Sequence, residues 1–339
     1  MDVTFHQRRP RPGSDHSVEN VFDEVRRSLE GEVKVRMAIC PFESNGIFRR
    51  LINTLGATLR QGSVNHVTGD VNYVGILLRG SRTVQTIHDC GHLLHSTGLR
   101  HLVLKTFWVT LPVRNCAHVT VVSDATRKDL LRHVDLDPGK VSVIPVGVSP
   151  RFKPVPRGFD KTAPVVLQLG TAANKNLPRL AEALRGTECR LEVVGKWNPA
   201  LARLLEGLGI PHRFRSGLSS EEIMRCYEEA DIVTLVSTLE GFGMPIAEAQ
   251  AVGRVVVTSN VSSMPEVAGD GACLVDPLDV GAIRAGIRKV IDDDGYRESL
   301  IRRGFENVKR FDSRRIARQY LDLYRRIAGP SLVGQRSKG

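Results

Sequence analysis

The sequence predicts an α/β protein built from two doubly wound parallel sheets. Three observations carry that reading. Short apolar runs recur along the 339 residues, most of them separated by helical patterns, as parallel strands joined by crossover helices require. The alternation occurs twice, on either side of a stretch punctuated by Pro145, Pro150, Pro154 and Pro156, which reads as a linker. The length suits two domains with full cores, and 41% hydrophobic with 25% charged residues is an ordinary globular composition.

In the first half, Asp2 to His6 reads as a strand, followed by the basic loop Arg8-Arg-Pro-Arg-Pro-Gly-Ser-Asp. Ser17 then caps a helix that places Val18, Val21, Phe22, Val25 and Leu29 on one face. Val33 to Cys40 is the second strand and Gly46 to Leu59 the second helix. The strands Val64 to Val67, Thr83 to Ile87, Val119 to Val122 and Val141 to Val146 follow, with the helix Asp124 to His133 opened by Ser123. A basic loop between a first strand and a helix start suits an anion. Gly13 stands alone there, so the glycine fingerprint of dinucleotide binding is absent and an NAD-dependent dehydrogenase is disfavoured.

In the second half the strands are Val165 to Leu169, Arg190 to Val194, His212 to Phe214, Ile232 to Val236, Val255 to Thr258 and Cys273 to Val275. Leu177 to Leu184 and Ser220 to Ala230 are helices, the latter opening on the capping signal Ser219-Ser-Glu-Glu. Two such domains place a cleft between their strand C-terminal ends, where sheets of this kind bind ligands.

The richest stretch is Glu240-Gly-Phe-Gly-Met-Pro-Ile-Ala-Glu248. It reads as a glycine-bearing turn after a buried strand, running into a helix that opens near Met244-Pro245. Proline fits the first helical turn, where its missing N–H has no partner to lose. The free N–H groups and the dipole of a helix start favour an anion, phosphate first of all. Carboxylates beside a phosphate would repel it unless they serve something else, and sugar hydroxyls donate to carboxylates. Either Glu alone reads as a solvated residue; the pair around the turn reads as a site.

Other turns expected to face the cleft are individually unspecific. His88-Asp89 follows a strand. Gly170-Thr-Ala-Ala-Asn-Lys175-Asn places a lysine near a helix start, against the dipole. Gly195-Lys-Trp and Ser216-Gly-Leu218 each bring a glycine. Their order is specific. Together with Ser123-Asp-Ala-Thr-Arg-Lys-Asp-Leu, Val143-Ile-Pro-Val-Gly-Val148 and Ser263-Met-Pro-Glu-Val, it resembles the retaining nucleotide-sugar glycosyltransferases of family 4 over nearly the whole chain.

The resemblance implies a GT-B fold, two Rossmann-like domains facing a central cleft with the C-terminal helices packing back on the first. It divides the chain into an acceptor-side domain (1–150), a linker (151–163), a donor-binding domain (164–310), a helix crossing back (311–328) and a disordered tail (329–339). It implies that Glu240 contacts hydroxyls of the transferred sugar, that Glu248 contacts the ribose, and that Gly243 and Met244 offer N–H groups to sugar and diphosphate. Lys175 would pair with the diphosphate as the leaving group gains charge, and His88 would hold the sugar from the first domain. Gly170, Thr171 and Phe242 fall in the donor-binding turns, and Leu218 would meet the nucleobase through its backbone. The family often has Arg where Thr171 stands, so one of Arg8, Arg9 or Arg11 is the candidate to replace the missing charge. Asp135-Leu-Asp137 matches a metal-binding pattern but reads as a turn between helix and strand.

The expected activity is metal-independent, retaining transfer of a hexose, mannose or a relative, from a nucleoside-diphosphate sugar to a glycan or lipid-linked acceptor. No cofactor beyond the donor is expected. The alternatives are a GT-B nucleotide-sugar epimerase and a non-catalytic subunit binding glycan or membrane. Six scattered cysteines read as buried free thiols, and Met1 to Arg8 lacks the apolar core of a signal peptide, so the expected location is the cytoplasm or the inner face of the membrane. The formal charge is +11, of which the segment from Tyr296 onward holds about +8, with twelve Lys and Arg against four Asp and Glu. Such a segment suits an anionic membrane face or nucleic acid, or is a solvated helix face. The stripe Ile316, Tyr320, Leu323, Tyr324 and Ile327 favours packing, and no nucleic-acid partner is expected.

Overall fold

The computed structural model describes residues 1–10, 17–94 and 96–329. The chain divides into two compact units. The first takes in the residues up to Gly147 together with the helix Ser313–Ala328, and the second takes in Val148–Asp312.

The first unit holds six strands, β1 (Asp2–Gln7), β2 (Lys34–Ile39), β3 (Val64–Val67), β4 (Thr83–Ile87), β5 (His118–Val121) and β6 (Val141–Val143). They form one parallel sheet in the order β2-β1-β3-β4-β5-β6. The order reverses between β1 and β3, which leaves a crevice at their C-terminal ends. The helix Ser17–Ser28 lays Val21, Phe22 and Val25 into the core, as the periodicity requires. Arg11, Gly13 and the tail beyond Gly329 lie outside the described residues, and the side chain of Ser17 is not described.

The C-terminal helix Ser313–Ala328 is a member of this first unit. Its apolar stripe is spent there: Ile316, Tyr320, Leu323 and Tyr324 are buried. Tyr324 Oη lies 2.6 Å from His66 Nδ1, and His66 Nε2 lies 2.6 Å from Thr86 Oγ1. Phe5 and Phe22 pack edge-on against the same imidazole. Burial holds His66 neutral, its pKa pushed down to about 3, and pushes His6 on β1 down to about 4.

One segment escaped the sequence reading. Between β4 and β5 the chain is helical through Gly98–Val103, a π-helical stretch Leu104–Thr110 and Leu111–Asn115. Its leucines fall on outward as well as inward positions, so no polar stripe marks the helix.

The second unit holds β7 (Val165–Leu169), β8 (Arg190–Val194), β9 (His212–Arg215), β10 (Ile232–Leu235), β11 (Val255–Ser259) and β12 (Cys273–Val275). They too form one parallel sheet, in the order β12-β11-β10-β7-β8-β9. Both faces are covered, so the strands are continuous β-branched and leucine runs rather than alternating ones. Val166, Leu167, Val233 and Val256 are wholly buried. The chain leaves β7 towards β8 and β9, then returns to lay β10 on the other side of β7. The switch point therefore lies between β7 and β10, flanked by the loops that begin at Gly170 and at Val236. All six cysteines are buried free thiols. Asp135 and Asp137 stand between helix and strand, where Asp137 accepts from the Gly139 N–H at 2.9 Å in a turn.

Candidate functional site in the second unit

The loops after β7 and β10 are tied together by three consecutive residues. The Asn174 amide donates to the Leu239 carbonyl at 2.9 Å, and the Thr238 N–H donates back to the Asn174 carbonyl at 2.9 Å. Asn176, in the left-handed conformation with φ 58°, donates its buried amide to the carbonyls of Val236 (3.0 Å) and Pro277 (2.7 Å). Between the two asparagines, Lys175 Nζ donates to Glu240 Oε1 at 2.7 Å, the two side chains being 18% and 13% exposed. The lysine stem lies over Gly170, whose φ is +87° and where a Cβ would come within 2.8 Å of Lys175 Cε. Thr171, next along, packs against Gly195 of the loop after β8.

Glu240 is fixed from all sides. Ser237 Oγ donates to the same Oε1 at 2.7 Å. From the loop after β11, Ser262 Oγ and Ser263 Oγ donate to the Glu240 carbonyl at 2.7 and 2.9 Å, and Ser263 Oγ also reaches the Phe242 carbonyl at 2.9 Å. Phe242 turns its ring inward against Phe311, centroids 5.2 Å apart. What Phe242 has left to offer a ligand is its backbone N–H.

The helix Met244–Val252 starts at Gly243, which is left-handed (φ 97°) and carries no side-chain cap. Among the described residues, the N–H groups of Phe242, Gly243 and Met244 have no hydrogen-bond acceptor. Three such donors in a row at a helix start, beside a lysine, are chemically suited to an anion. The Glu240 charge that would oppose an anion there is offset by Lys175.

Glu248 lies one turn further along the helix and is partly buried. Its Oε2 accepts from the buried Tyr227 Oη at 2.5 Å. Burial raises its pKa from 4.5 to about 7, against the opposing pull of the Tyr227 hydrogen bond and the charge of Arg151. Leu218 stands in the loop after the edge strand β9, one residue before the Ser219–Glu222 capping box.

His88 belongs to the first unit. It directly follows β4, half-buried, with its Nε2–H donating to the Thr68 carbonyl at 2.7 Å, which leaves Nδ1 as the ring nitrogen open to a ligand. The Cδ2–Nε2 edge of the ring lies against Gly69, where a Cβ would come within 2.3 Å of it. At the switch point of this sheet Arg8, at the end of β1, pairs with Asp70, and Arg9 Nη1 donates to the Pro41 carbonyl at 2.9 Å.

The structure thus brings Gly170, Thr171, Lys175, Glu240, Phe242, Gly243 and Met244 to the switch point of the second sheet. Asn174, Asn176, Ser237 and Ser262 were missed in the sequence as parts of the same site. The two asparagines flanking Lys175 were the available signal, since asparagine is, after glycine, among the residues that most readily take a left-handed turn, as Asn176 does.

Two doubly wound parallel units, with glycine turns of this kind at the switch point, define the GT-B class. Solved structures of that class cover nearly the whole chain. Sucrose-phosphate synthase from Thermosynechococcus elongatus superposes with a TM-score of 0.76 at 19% identity, over 96% of this chain and 98% of that one. Anabaena HepE, in complex with UDP-glucose, superposes with a TM-score of 0.76 at 16% identity, over 95% and 99%. Residues 151–307 match the family described as Glycosyl transferases group 1, and residues 11–152 match Glycosyltransferase Family 4. The two matches together span residues 11–307, Glycosyltransferase Family 4 over the first half and Glycosyl transferases group 1 over the second.

Among curated relatives, the O-antigen chain mannosyltransferase B of Escherichia coli is 38% identical over 33% of this chain and 30% of its own length. The D-inositol 3-phosphate glycosyltransferase of a Nocardioides species is 32% identical over 60% and 52%. The MMP alpha-(1->4)-mannosyltransferase of Mycolicibacterium hassiacum is 29% identical over 53% and 46%. The chain spans about half the length of these relatives or less.

Proposed function

We propose that this protein transfers a hexose, mannose or a relative, from a nucleoside-diphosphate sugar to a glycan or lipid-linked acceptor, with retention of the anomeric configuration and without a metal ion. The observation that carries the reading is the run of N–H groups at Phe242, Gly243 and Met244, which find no acceptor among the described residues, beside the Lys175–Glu240 pair. The mannosyltransferases among the relatives support the sugar, and the nucleotide-sugar complex of a structural neighbour supports the donor class.

In this reading the donor diphosphate lies over the helix start, and Lys175 turns from Glu240 towards the departing phosphate. Positive charge already in place at the leaving group lowers the barrier without moving a proton. Glu240, freed from Lys175, accepts hydrogen bonds from the transferred sugar, and Glu248 accepts from the ribose. Gly170 and Thr171 give the diphosphate room beside the lysine, Leu218 meets the base through its backbone, and His88 Nδ1 accepts from a sugar hydroxyl. The acceptor oxygen bonds to the anomeric carbon on the face that the diphosphate leaves, the bond from that carbon to the phosphate oxygen breaks, and the acceptor proton passes to a phosphate oxygen. No protein nucleophile and no cofactor beyond the donor take part. The free thiols support a cytoplasmic setting.

The test is release of nucleoside diphosphate from a panel of donor sugars, with and without acceptor glycans. Acceptor-dependent release is expected with one or a few donors, falling by about 100-fold or more in Glu240→Ala. Turnover in that variant equal to wild type overturns the site.

A further inference from the structure

The first unit carries a helix that faces the wrong way for a water-soluble surface. Helix Ile47–Thr58 buries Asn53, Thr54 and Ala57, the small and polar residues, and turns its large apolar residues outward. Ile47 and Phe48 are 80% and 81% exposed, Leu51 and Leu55 half exposed, and Leu59 just beyond is 87% exposed. The rotation is pinned. Asn53, wholly buried, accepts from the Phe42 N–H at 3.1 Å and donates to the Phe42 carbonyl and to Tyr73 Oη, each at 2.9 Å. Turning the helix inward would leave those groups unpaired in the core.

A second outward apolar face adjoins it. In the helical segment from Gly98 to Asn115, Leu99 (75% exposed), Leu102 and Phe107 point to solvent. The two segments meet directly, the Arg50 guanidinium lying 4.8 Å over the Trp108 ring. Fifteen of the nineteen exposed large apolar side chains among the described residues fall between Met37 and Leu111, a concentration in one part of the first unit and not the ordinary scatter of a soluble protein.

The two segments themselves carry charge of one sign, with Glu43, Asp70 and Asp89 outside them. The sequence holds no Asp or Glu from Ser44 to Gly69 or from Cys90 to Ser123, while Arg49, Arg50, Arg60, Arg100, Lys105 and Arg114 lie within those stretches. Apolar side chains at the level of a basic fringe match the interface of a bilayer that carries anionic lipid. No helix among the described residues is long and apolar enough to cross a membrane.

We propose that the first unit docks on an anionic membrane surface through this face, with Phe48 and Leu51 entering the headgroup boundary and the arginines holding lipid phosphates. The contact does not use the apolar stripe of the basic C-terminal helix, which is already buried.

The test is co-sedimentation of the purified full chain with phosphatidylcholine vesicles, with and without phosphatidylglycerol. Wild type is expected to pellet with the phosphatidylglycerol vesicles and to be released by raised salt. Phe48→Ser/Leu51→Ser is expected to bind about 100-fold more weakly with an unchanged melting temperature, as is the independent pair Leu55→Ser/Leu59→Ser. Arg314→Gln/Arg318→Gln on the C-terminal helix is expected to bind as wild type. Three results overturn the proposal: no binding of wild type to phosphatidylglycerol vesicles, undiminished binding of both apolar variants, or a solution dimer that those variants dissolve, which would give the face to a second copy of the chain.

Discussion

In the proposed donor site, Glu248 is expected to impose a pH dependence whose sign is fixed by where the side chain sits. Burial raises its pKa from 4.5 to about 7, and in the proposed contact the ionised form is the stronger acceptor for the ribose hydroxyls. With a midpoint near 7, the ionised fraction falls from about nine-tenths at pH 8 to about one-tenth at pH 6, so the apparent donor Kd weakens about 10-fold over that span. Tyr227 donates to Glu248 and holds the pKa down. Tyr227→Phe therefore moves the midpoint of the profile upward, and Glu248→Gln flattens it. Stability runs the other way. Between 4.5 and about 7 the folded chain binds more protons at this group than the unfolded chain does. Its contribution is full below that window, is lost as pH rises through it, and is about 3 kcal/mol smaller above it. Calorimetric titration of the cognate nucleotide sugar from pH 6 to 8 reads the affinity directly. A wild-type Kd that stays flat over this range, or a Tyr227→Phe midpoint that moves downward, refutes the assignment of Glu248.

Two further expectations concern the frame around the site. Asn176→Ala removes donors from two carbonyls and places a Cβ residue without a local hydrogen bond at φ 58°, so the melting of the second unit should report a loss of about 3 kcal/mol. Asn176→Gly, which suits the backbone, should recover only part of it. In the first unit, His66 and His6 are held neutral by burial at about 3 and about 4, so the unfolded chain takes up their protons first as pH falls below 6.5. Stability should be full above 6.5 and lower by about 2 kcal/mol per histidine at pH 5, measured by melting against pH; a melt that is insensitive between pH 7 and 5 contradicts their burial.

The strands and the glycine turns were legible because their signals are local. Continuous β-branched runs such as Ile232 to Leu235, and a proline in the first turn of Met244–Val252, declare themselves within ten residues of sequence. The connections that make the site were not local. Lys175 meets Glu240 across 65 positions, and Tyr227 meets Glu248 across 21; no spacing rule reaches that far. The rotation of Ile47–Thr58 ran against the pattern itself. Periodicity places an apolar stripe on the core side, and here the hydrogen bonds of Asn53 to Phe42 and Tyr73 place it outside. The long helical segment after β4 was missed for a related reason, its outward leucines having erased the polar stripe by which a surface helix is recognised.

The central claim is that Lys175 serves the departing diphosphate at the switch point between β7 and β10. Single-turnover release of nucleoside diphosphate by Lys175→Ala, with donor saturating and acceptor present, tests it most directly. The account predicts a rate about 100- to 1000-fold below wild type, as for removal of a preorganised charge from a transition state, with donor Kd changed far less. A Lys175→Ala rate within a few-fold of wild type at saturating donor would contradict it.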